Sequence, residues 1–404
     1  MQRALRIDSD GRQQRLALFA LGLRPFFLLA GVEAVVAMAV WLAAFLYPDL
    51  WPSTAIPAWL WHAHEMLFGF VTAAIGGFLL TAVPGWTGGR AVSGLSLVVL
   101  VAIWLAGRVA MAPLPLPPLL SVLLDLLFLP SLLCALVPPL VRSAKWRNFP
   151  FVPVLLVLFL CDAIFQAGRL GIVPMGELIG LGIALDVVTI LVVIIGGRVI
   201  PAFTRSGLAR RRIEVDIPQR DWLDALAIAA VTAVLAGDLT APHSALSGIV
   251  ALVAAAVLAL RLSLWHGYRA MRVPLVWILH LGYAWIVVGL ALKGLAITFA
   301  WQAASQWLHA FTAGAFATMI LAIMSRASLG HTGRSLVAPP PVVLAYAVLT
   351  SAATLRVFGP LVVPQAHDAV ILLAGVCWIV AFALFLWVYA PMLARPRADG
   401  RPAR

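Results

Sequence analysis

The stretch "WHAHEMLFGF" at residues 61–70 brings two histidines and a glutamate together at the start of a long apolar run. Imidazole nitrogen is a common ligand for iron and copper in proteins. On an ideal helix, His62 and His64 point about 200° apart, so the two rings do not bind the same metal ion. One ring is therefore free to bind haem iron while the other meets copper, a haem propionate or the neighbouring Glu65.

Other charged side chains lie inside apolar runs, where an ionised group is costly and is therefore often functional. Arginine pairs well with carboxylates such as haem propionates, and Arg198 and Arg326 are the candidates for this role. Asp125, Asp162 and Asp186 either pair with such arginines or form a proton route. The three cysteines form no C-x-x-C-H motif, which excludes c-type attachment, so any haem would be b-type.

Membrane-spanning helices are the elements that must position these residues. Hydrophobic residues make up 63% of the 404-residue chain and charged residues 11%, and a soluble domain cannot bury that much apolar surface. The sequence therefore predicts an all-α polytopic membrane protein with one transmembrane domain over residues 26–392, between segments 1–25 and 393–404. Twelve apolar runs are long enough to cross a bilayer, near residues 26–46, 60–83, 94–112, 118–141, 151–168, 177–200, 221–239, 245–265, 274–299, 304–325, 338–358 and 368–391.

The basic residues distinguish the two sides of the predicted membrane. The net charge of +12 comes from short clusters between the apolar runs, which indicates topology rather than a nucleic-acid-binding face. These clusters precede the first span and follow the even-numbered spans. By the positive-inside rule, both termini are predicted to be cytoplasmic.

This topology sorts five histidines into two layers. His62, His64 and His309 fall near the outer face, and His280 and His331 fall near the cytoplasmic face. All five are candidate metal ligands. We predict a b-type haem between the second and tenth spans with His64 and His309 as axial ligands, because helix bundles commonly hold cofactors between facing histidines. The alternative is that the histidines hydrogen-bond to neighbouring helices and only hold the packing.

A faint internal repeat is visible in the sequence. The second span ends in "IGGFLLTAVPGWTG" and the sixth in "IGGRVIPAFTRSG". Echoes of this kind every four spans predict three units of four helices. The alternative is that glycine and proline simply recur at helix ends.

Several motifs together resemble the NnrS family of bacterial inner-membrane proteins. They are "LGLRPFFLLAG", "WHAHEMLFGFVTAAIGGFLLTAVPGWTG", "WRNFPFV", "IGGRVIPAFTR", "WILHLGYAW" and "MSRASLGHTGR". The resemblance runs from about residue 17 to 395. It implies a haem- and copper-containing protein of the inner membrane, linked to nitric oxide metabolism, denitrification and defence against nitrosative stress. It also implies nitric oxide as ligand or substrate and an electron donor of unknown identity, and it leaves open whether an oxidoreductase reaction or binding alone takes place.

A fainter resemblance is to the catalytic subunit of haem–copper oxidases and nitric oxide reductases. That fold also has twelve helices in three groups of four, with haem-binding histidines on its second and tenth helices. The present sequence departs from it because spans 6 and 7 contain no histidine. An oxidase-type copper centre is therefore not expected.

Two other classes of function compete with a haem protein. Twelve helices with buried Asp125, Asp186 and Arg198 also suit a secondary transporter. Histidines near the outer face, such as His62, also suit an assembly factor that passes haem or copper to another protein.

Overall fold

The structure, a computed structural model, describes residues 17–52, 56–143, 149–218, 220–301 and 306–401. Over these ranges the chain is helical and forms no strand, so the predicted all-α polytopic membrane fold is confirmed. Eleven helices are long and apolar enough to cross a membrane, and a twelfth, α3, is shorter. The helices are α1 Leu23–Leu46, α2 Ala58–Thr87, α3 Leu95–Met111, α4 Pro118–Arg142, α5 Phe151–Arg169, α6 Gly176–Ala209, α7 Asp221–Thr240, α8 Ala245–Ser263, α9 Pro274–Thr298, α10 Trp307–His331, α11 Pro340–Val362 and α12 Pro364–Ala394.

Every predicted span corresponds to one of these helices. Within a bilayer the backbone must satisfy its own hydrogen bonds, so long apolar runs become helices. Four of the described helices begin at a proline, namely Pro118, Pro274, Pro340 and Pro364, where the missing N–H costs nothing. Parts of the predicted segments 1–25 and 393–404 lie outside the described residues.

Helix α6 is longer than its predicted span, because it continues through Pro201 to Ala209. A proline inside a helix removes one backbone hydrogen bond but does not always end it. One turn further on, the hydroxyl of Thr204 donates to the carbonyl oxygen of Ile200 at 2.7 Å. The predicted end near residue 200 therefore marks the proline and not the end of the helix.

The contacts divide the chain into two compact units. The first contains the described residues of Met1–Ala184, Met324–Leu336 and Phe382–Arg404. The second contains those of Leu185–Ile323 and Val337–Ala381. Helices α1 to α5 belong to the first unit, and α7, α8, α9 and α11 belong to the second.

The "IGG" stretches shared by α2 and α6 are places of close side-chain approach. A Cβ atom on Gly77 of α2 would lie 2.8 Å from the ring of Phe27 in the same unit. A Cβ atom on Gly197 of α6 would lie 1.9 Å from Nη2 of Arg261. The two glycines thus allow tight packing in their own units. The predicted repeat of three four-helix units stays a prediction.

Gly197→Ala is expected to destabilise the protein by about 1–3 kcal/mol, the usual cost of overpacking. The added methyl group would displace Arg261, whose Nε and Nη2 bond to Asp224 at 2.8 and 2.6 Å. Gly182→Ala on the same helix is the control, since a Cβ there meets nothing within 4 Å and alanine favours the helix. Thermal unfolding in detergent measures both variants. A Gly197→Ala protein that melts no lower than the Gly182→Ala protein contradicts this account.

Candidate metal centre

Helix α2 changes its pitch immediately after His64. Residues Glu65–Val71 form a π-helical segment inside the longer helix, and such segments are frequent at functional sites. The hydroxyl of Thr72 donates to the carbonyl oxygen of Phe68, and Nε1 of Trp104 donates to that of Gly69 at 3.3 Å. These bonds satisfy carbonyl groups in the widened turn.

Carboxylates meet both nitrogens of the His64 ring, which is fully buried. Nδ1 lies 3.1 Å from Oε1 of Glu65. Nε2 lies 3.1 Å from Oδ1 of Asp162 and 3.2 Å from Oδ2 of Asp125. The ring of Phe165 packs against the imidazole, with centroids 4.5 Å apart. Three helices of the first unit, α2, α4 and α5, therefore meet at this one side chain.

Arg108 of α3 bridges two of these carboxylates. Its Nη1 donates to Oε1 of Glu65 at 2.6 Å, and its Nη2 donates to Oδ1 of Asp125 at 2.5 Å. The sequence suggested arginines such as Arg198 and Arg326 as partners of Asp125, whereas in the structure its arginine partner is Arg108. Gly69 leaves room for this arrangement, since a Cβ there would lie 3.1 Å from Nη1 of Arg108 and 3.2 Å from Oε1 of Glu33.

Neutral and sulfur-containing side chains extend the network towards the end of α5. Nε2 of Gln166 donates to Oδ2 of Asp125 at 2.5 Å. Oε1 of Gln166 accepts from Nη1 of Arg169 at 2.7 Å, and the same Nη1 lies 3.0 Å from Sδ of Met111. The result is a continuous hydrogen-bonded chain from Arg169 to His64.

The geometry fits a metal ion at His64, Asp125 and Asp162. One ligand atom from each residue can be chosen so that all lie within 4.8 Å of one another. Ligand atoms about 2.0–2.2 Å from a common ion lie about 2.8–3.6 Å apart at octahedral or tetrahedral angles. The distances from Nε2 of His64 to the two aspartates, 3.1 and 3.2 Å, agree with this spacing. Glu65 then accepts from Nδ1–H, the usual arrangement that orients a metal-binding histidine.

The charges of the cluster also favour a cation. Four buried carboxyl groups, of Glu33, Glu65, Asp125 and Asp162, interact with the guanidinium group of Arg108, and three of them, those of Glu65, Asp125 and Asp162, also interact with that of Arg169. Buried charges are stable only when they are compensated. A bound divalent cation would supply positive charge that the two arginines do not.

The surroundings of His64 do not fit a haem iron. Haem ligation needs a ring nitrogen that points at the iron through an open space, whereas Nε2 of His64 faces Asp125 and Asp162 and Nδ1 faces Glu65. His64 would have to leave two aspartates to bind haem. The ring does reach Glu65, which is one of the contacts that the sequence allowed for the histidine not bound to haem.

The other predicted site residues are spread over both units. In the first unit, the ring of His62 stacks on Trp41 with centroids 5.0 Å apart, Arg326 is buried, and the carbonyl oxygen of His331 accepts from Arg397 at 3.2 Å.

In the second unit, Arg198 is exposed on α6, and His309 is half-buried directly before a second π-helical segment, Ala310–Phe316. Nε2 of His280 lies 2.9 Å from the hydroxyl of Thr204. Their predicted roles as ligands or propionate partners stay predictions.

A second buried polar cluster surrounds Lys293 in the second unit. Its ammonium group pairs with Asp238 and lies 3.6 Å from Oδ1 of Asp186. It also lies 4.8 Å from the centre of the Trp307 ring. Asp186 is thus paired with a lysine and not with an arginine.

Gln166, Met111 and Asp238 belong to these clusters, but their residue types alone give no signal in the sequence, because a glutamine, a methionine or a span-end aspartate is ordinary there. The four-residue spacing of Asp162 and Gln166 on α5 places them on one helix face. That spacing is the one signal from which Gln166 could have been found.

The fold and the site define a class of protein: a multi-pass, all-α membrane protein with a buried histidine–carboxylate centre that could hold a metal ion. The chain belongs to the NnrS family, whose model, described as "NnrS protein", matches residues 17–397. Membership supports in general terms a membrane protein of the nitric oxide response, in a family associated with metal and haem. No curated protein matches the chain.

Proposed function

We propose that this protein binds nitric oxide at a metal ion held by His64, Asp125 and Asp162 in the bacterial inner membrane, as part of the nitrosative-stress or denitrification response. The observation that carries the proposal is the approach of one imidazole nitrogen to two carboxylates in a fully buried site. Three protein ligands leave at least one coordination position open for a small ligand. Iron and copper are the metals proposed, because the metal ion must bind nitric oxide and imidazole is a suitable ligand for both metals.

We assign haem b to His309 rather than to the pair of His64 and His309. His309 lies half-buried at the start of a π-helical segment, a local geometry shared with His64. A haem with one protein ligand keeps an open axial position for nitric oxide, whereas a bis-histidine haem favours electron transfer. His62, His280 and His331 remain candidate ligands, and Arg198 and Arg326 remain candidate partners for the propionates.

His309→Ala is expected to remove the absorption bands of haem b from the purified protein, since the iron loses its axial ligand. The metal ion at His64 should be retained. The measurement is the difference spectrum of dithionite-reduced and oxidised protein, with iron and copper analysis of the same sample. His367→Ala is the matched control, because His367 is exposed and pairs with the exposed Asp368 at 3.1 Å. A wild-type haem spectrum in His309→Ala protein contradicts the assignment.

A secondary transporter is the competing function, and one observation favours it. The buried contact of Lys293 with Asp186 and Asp238 is the type of charge cluster that couples ion movement to transport. A transporter should purify without stoichiometric haem or metal. Metal and haem analysis of wild-type protein therefore separates the two functions.

A further inference from the structure

A cavity of about 160 Å³ adjoins the candidate metal centre in the first unit. The start of α2, the segment between α3 and α4 and the end of α5 enclose it. Trp61, Leu116 and Val122 are among its lining residues. Cavities of about 150 Å³ are known to hold xenon or benzene. This cavity therefore has room for several diatomic molecules but not for a haem.

The inner wall of the cavity is part of the metal centre's own network. Met111 and Arg169 line the cavity, and Arg169 donates to Gln166, which donates to Asp125. Trp61 lies three residues before His64 on α2, about one helical turn away. Residues of the hydrogen-bonded network that leads to Asp125 thus form part of the cavity wall.

Charges of both signs lie at and behind the inner wall of the cavity, so an ion of either sign meets a like charge there. Arg169 places a guanidinium group at the inner wall, which repels small cations. Behind it, the buried carboxylates Asp125 and Asp162 repel anions. In a low-dielectric setting both effects are strong. A small neutral molecule is the class of ligand that meets neither barrier.

We propose that this cavity is the vestibule through which a small neutral gas molecule reaches the metal centre, and this inference rests on the proposed function, in which that gas is nitric oxide. The vestibule lies at the ends of α3 and α5, on the side that the charge pattern predicts to be external. A larger side chain in the cavity should slow the binding of the gas and leave the metal ion that binds the gas unchanged.

Val122→Phe tests the vestibule, because Val122 lines the cavity and is 6% exposed. Stopped-flow absorbance with full-length, metal-loaded protein measures the association rate of nitric oxide. The rate is expected to fall at least about tenfold, because other routes require packed helices to open first. Metal content and the final spectrum should stay at wild-type levels. Leu123→Phe is the control, since Leu123 is 56% exposed on the same helix, and it should leave the rate unchanged.

An unchanged association rate in Val122→Phe protein with full metal content overturns the vestibule but leaves the proposed function standing. If Val122→Phe does not fold, Leu116→Phe fills the same cavity and takes the place of Val122→Phe in the test.

Xenon provides a readout that needs no metal: in a structure determined under xenon pressure, wild-type protein should hold xenon in this cavity and Val122→Phe should not. Wild-type protein without xenon there contradicts the vestibule, and wild-type protein without metal contradicts the proposed function.

Discussion

His64→Ala is expected to abolish metal binding at the first-unit centre. The substitution removes the nitrogen that both aspartates approach and leaves two carboxylates without the third ligand. Loss of an outer-shell partner typically lowers metal affinity about 10–100-fold, so loss of a ligand should exceed that. Iron and copper analysis of protein equilibrated at fixed free metal concentration measures the effect. The nitric oxide-induced change in the spectrum assigned to this metal should disappear with it.

Glu65→Gln is the graded control for this result. The glutamine keeps all three proposed ligands and replaces the carboxylate that bonds to both Nδ1 of His64 and Nη1 of Arg108. It should lower the metal affinity within the 10–100-fold range typical of an outer-shell change. The proposal fails if His64→Ala protein folds and retains as much non-haem metal as wild type. In that case the cluster is an ion-pair network, with His64 as a hydrogen-bonded part of it.

Arg108→Met is expected to destabilise the protein by about 3–5 kcal/mol, the cost of breaking a buried ion pair by removing one partner. The Arg108 side chain is 9% exposed, and its removal leaves Glu65 and Asp125 without their shared cation. Thermal or denaturant unfolding in detergent measures the change. The double variant Arg108→Met with Asp125→Asn should recover part of the loss, because it removes one of the two uncompensated charges.

Arg142→Met provides the comparison for Arg108→Met. Arg142 is exposed in the last turn of α4, and exposed substitutions usually change stability by less than about 0.5 kcal/mol. Equal stability of the two variants would show that Arg108 does not compensate the buried carboxylates. The charge argument for a bound cation would then lose its basis.

The helices were predictable from the sequence because apolar length is a direct physical requirement of the bilayer. The helix ends were less predictable. Pro201 is typical of a helix end, yet α6 continues to Ala209. Individual site residues were also visible, since Asp125 and Asp162 are ionisable groups at membrane depth. The contact of these two aspartates with His64 was not predictable, because the sequence does not say which faces of α2, α4 and α5 pack together.

The π-helical segment of α2 is the clearest feature that could not be predicted from the sequence. The residues "EMLFGFV" have no composition that distinguishes a π-helical segment from an α-helical one, yet the segment brings Glu65 as well as His64 into the buried site. An ideal α-helix led to the argument that His62 and His64 face apart. His64 does meet Glu65, whereas its surroundings do not fit the haem predicted between it and His309.

The most direct test of the metal centre is iron and copper analysis of purified wild-type protein, combined with its electron paramagnetic resonance spectrum before and after nitric oxide. The account predicts about one iron or copper ion per chain beyond the haem iron, since one three-residue site is present among the described residues, with a signal that changes when the gas is added. Protein that contains no such ion, although produced with iron, copper and haem in supply, would contradict it.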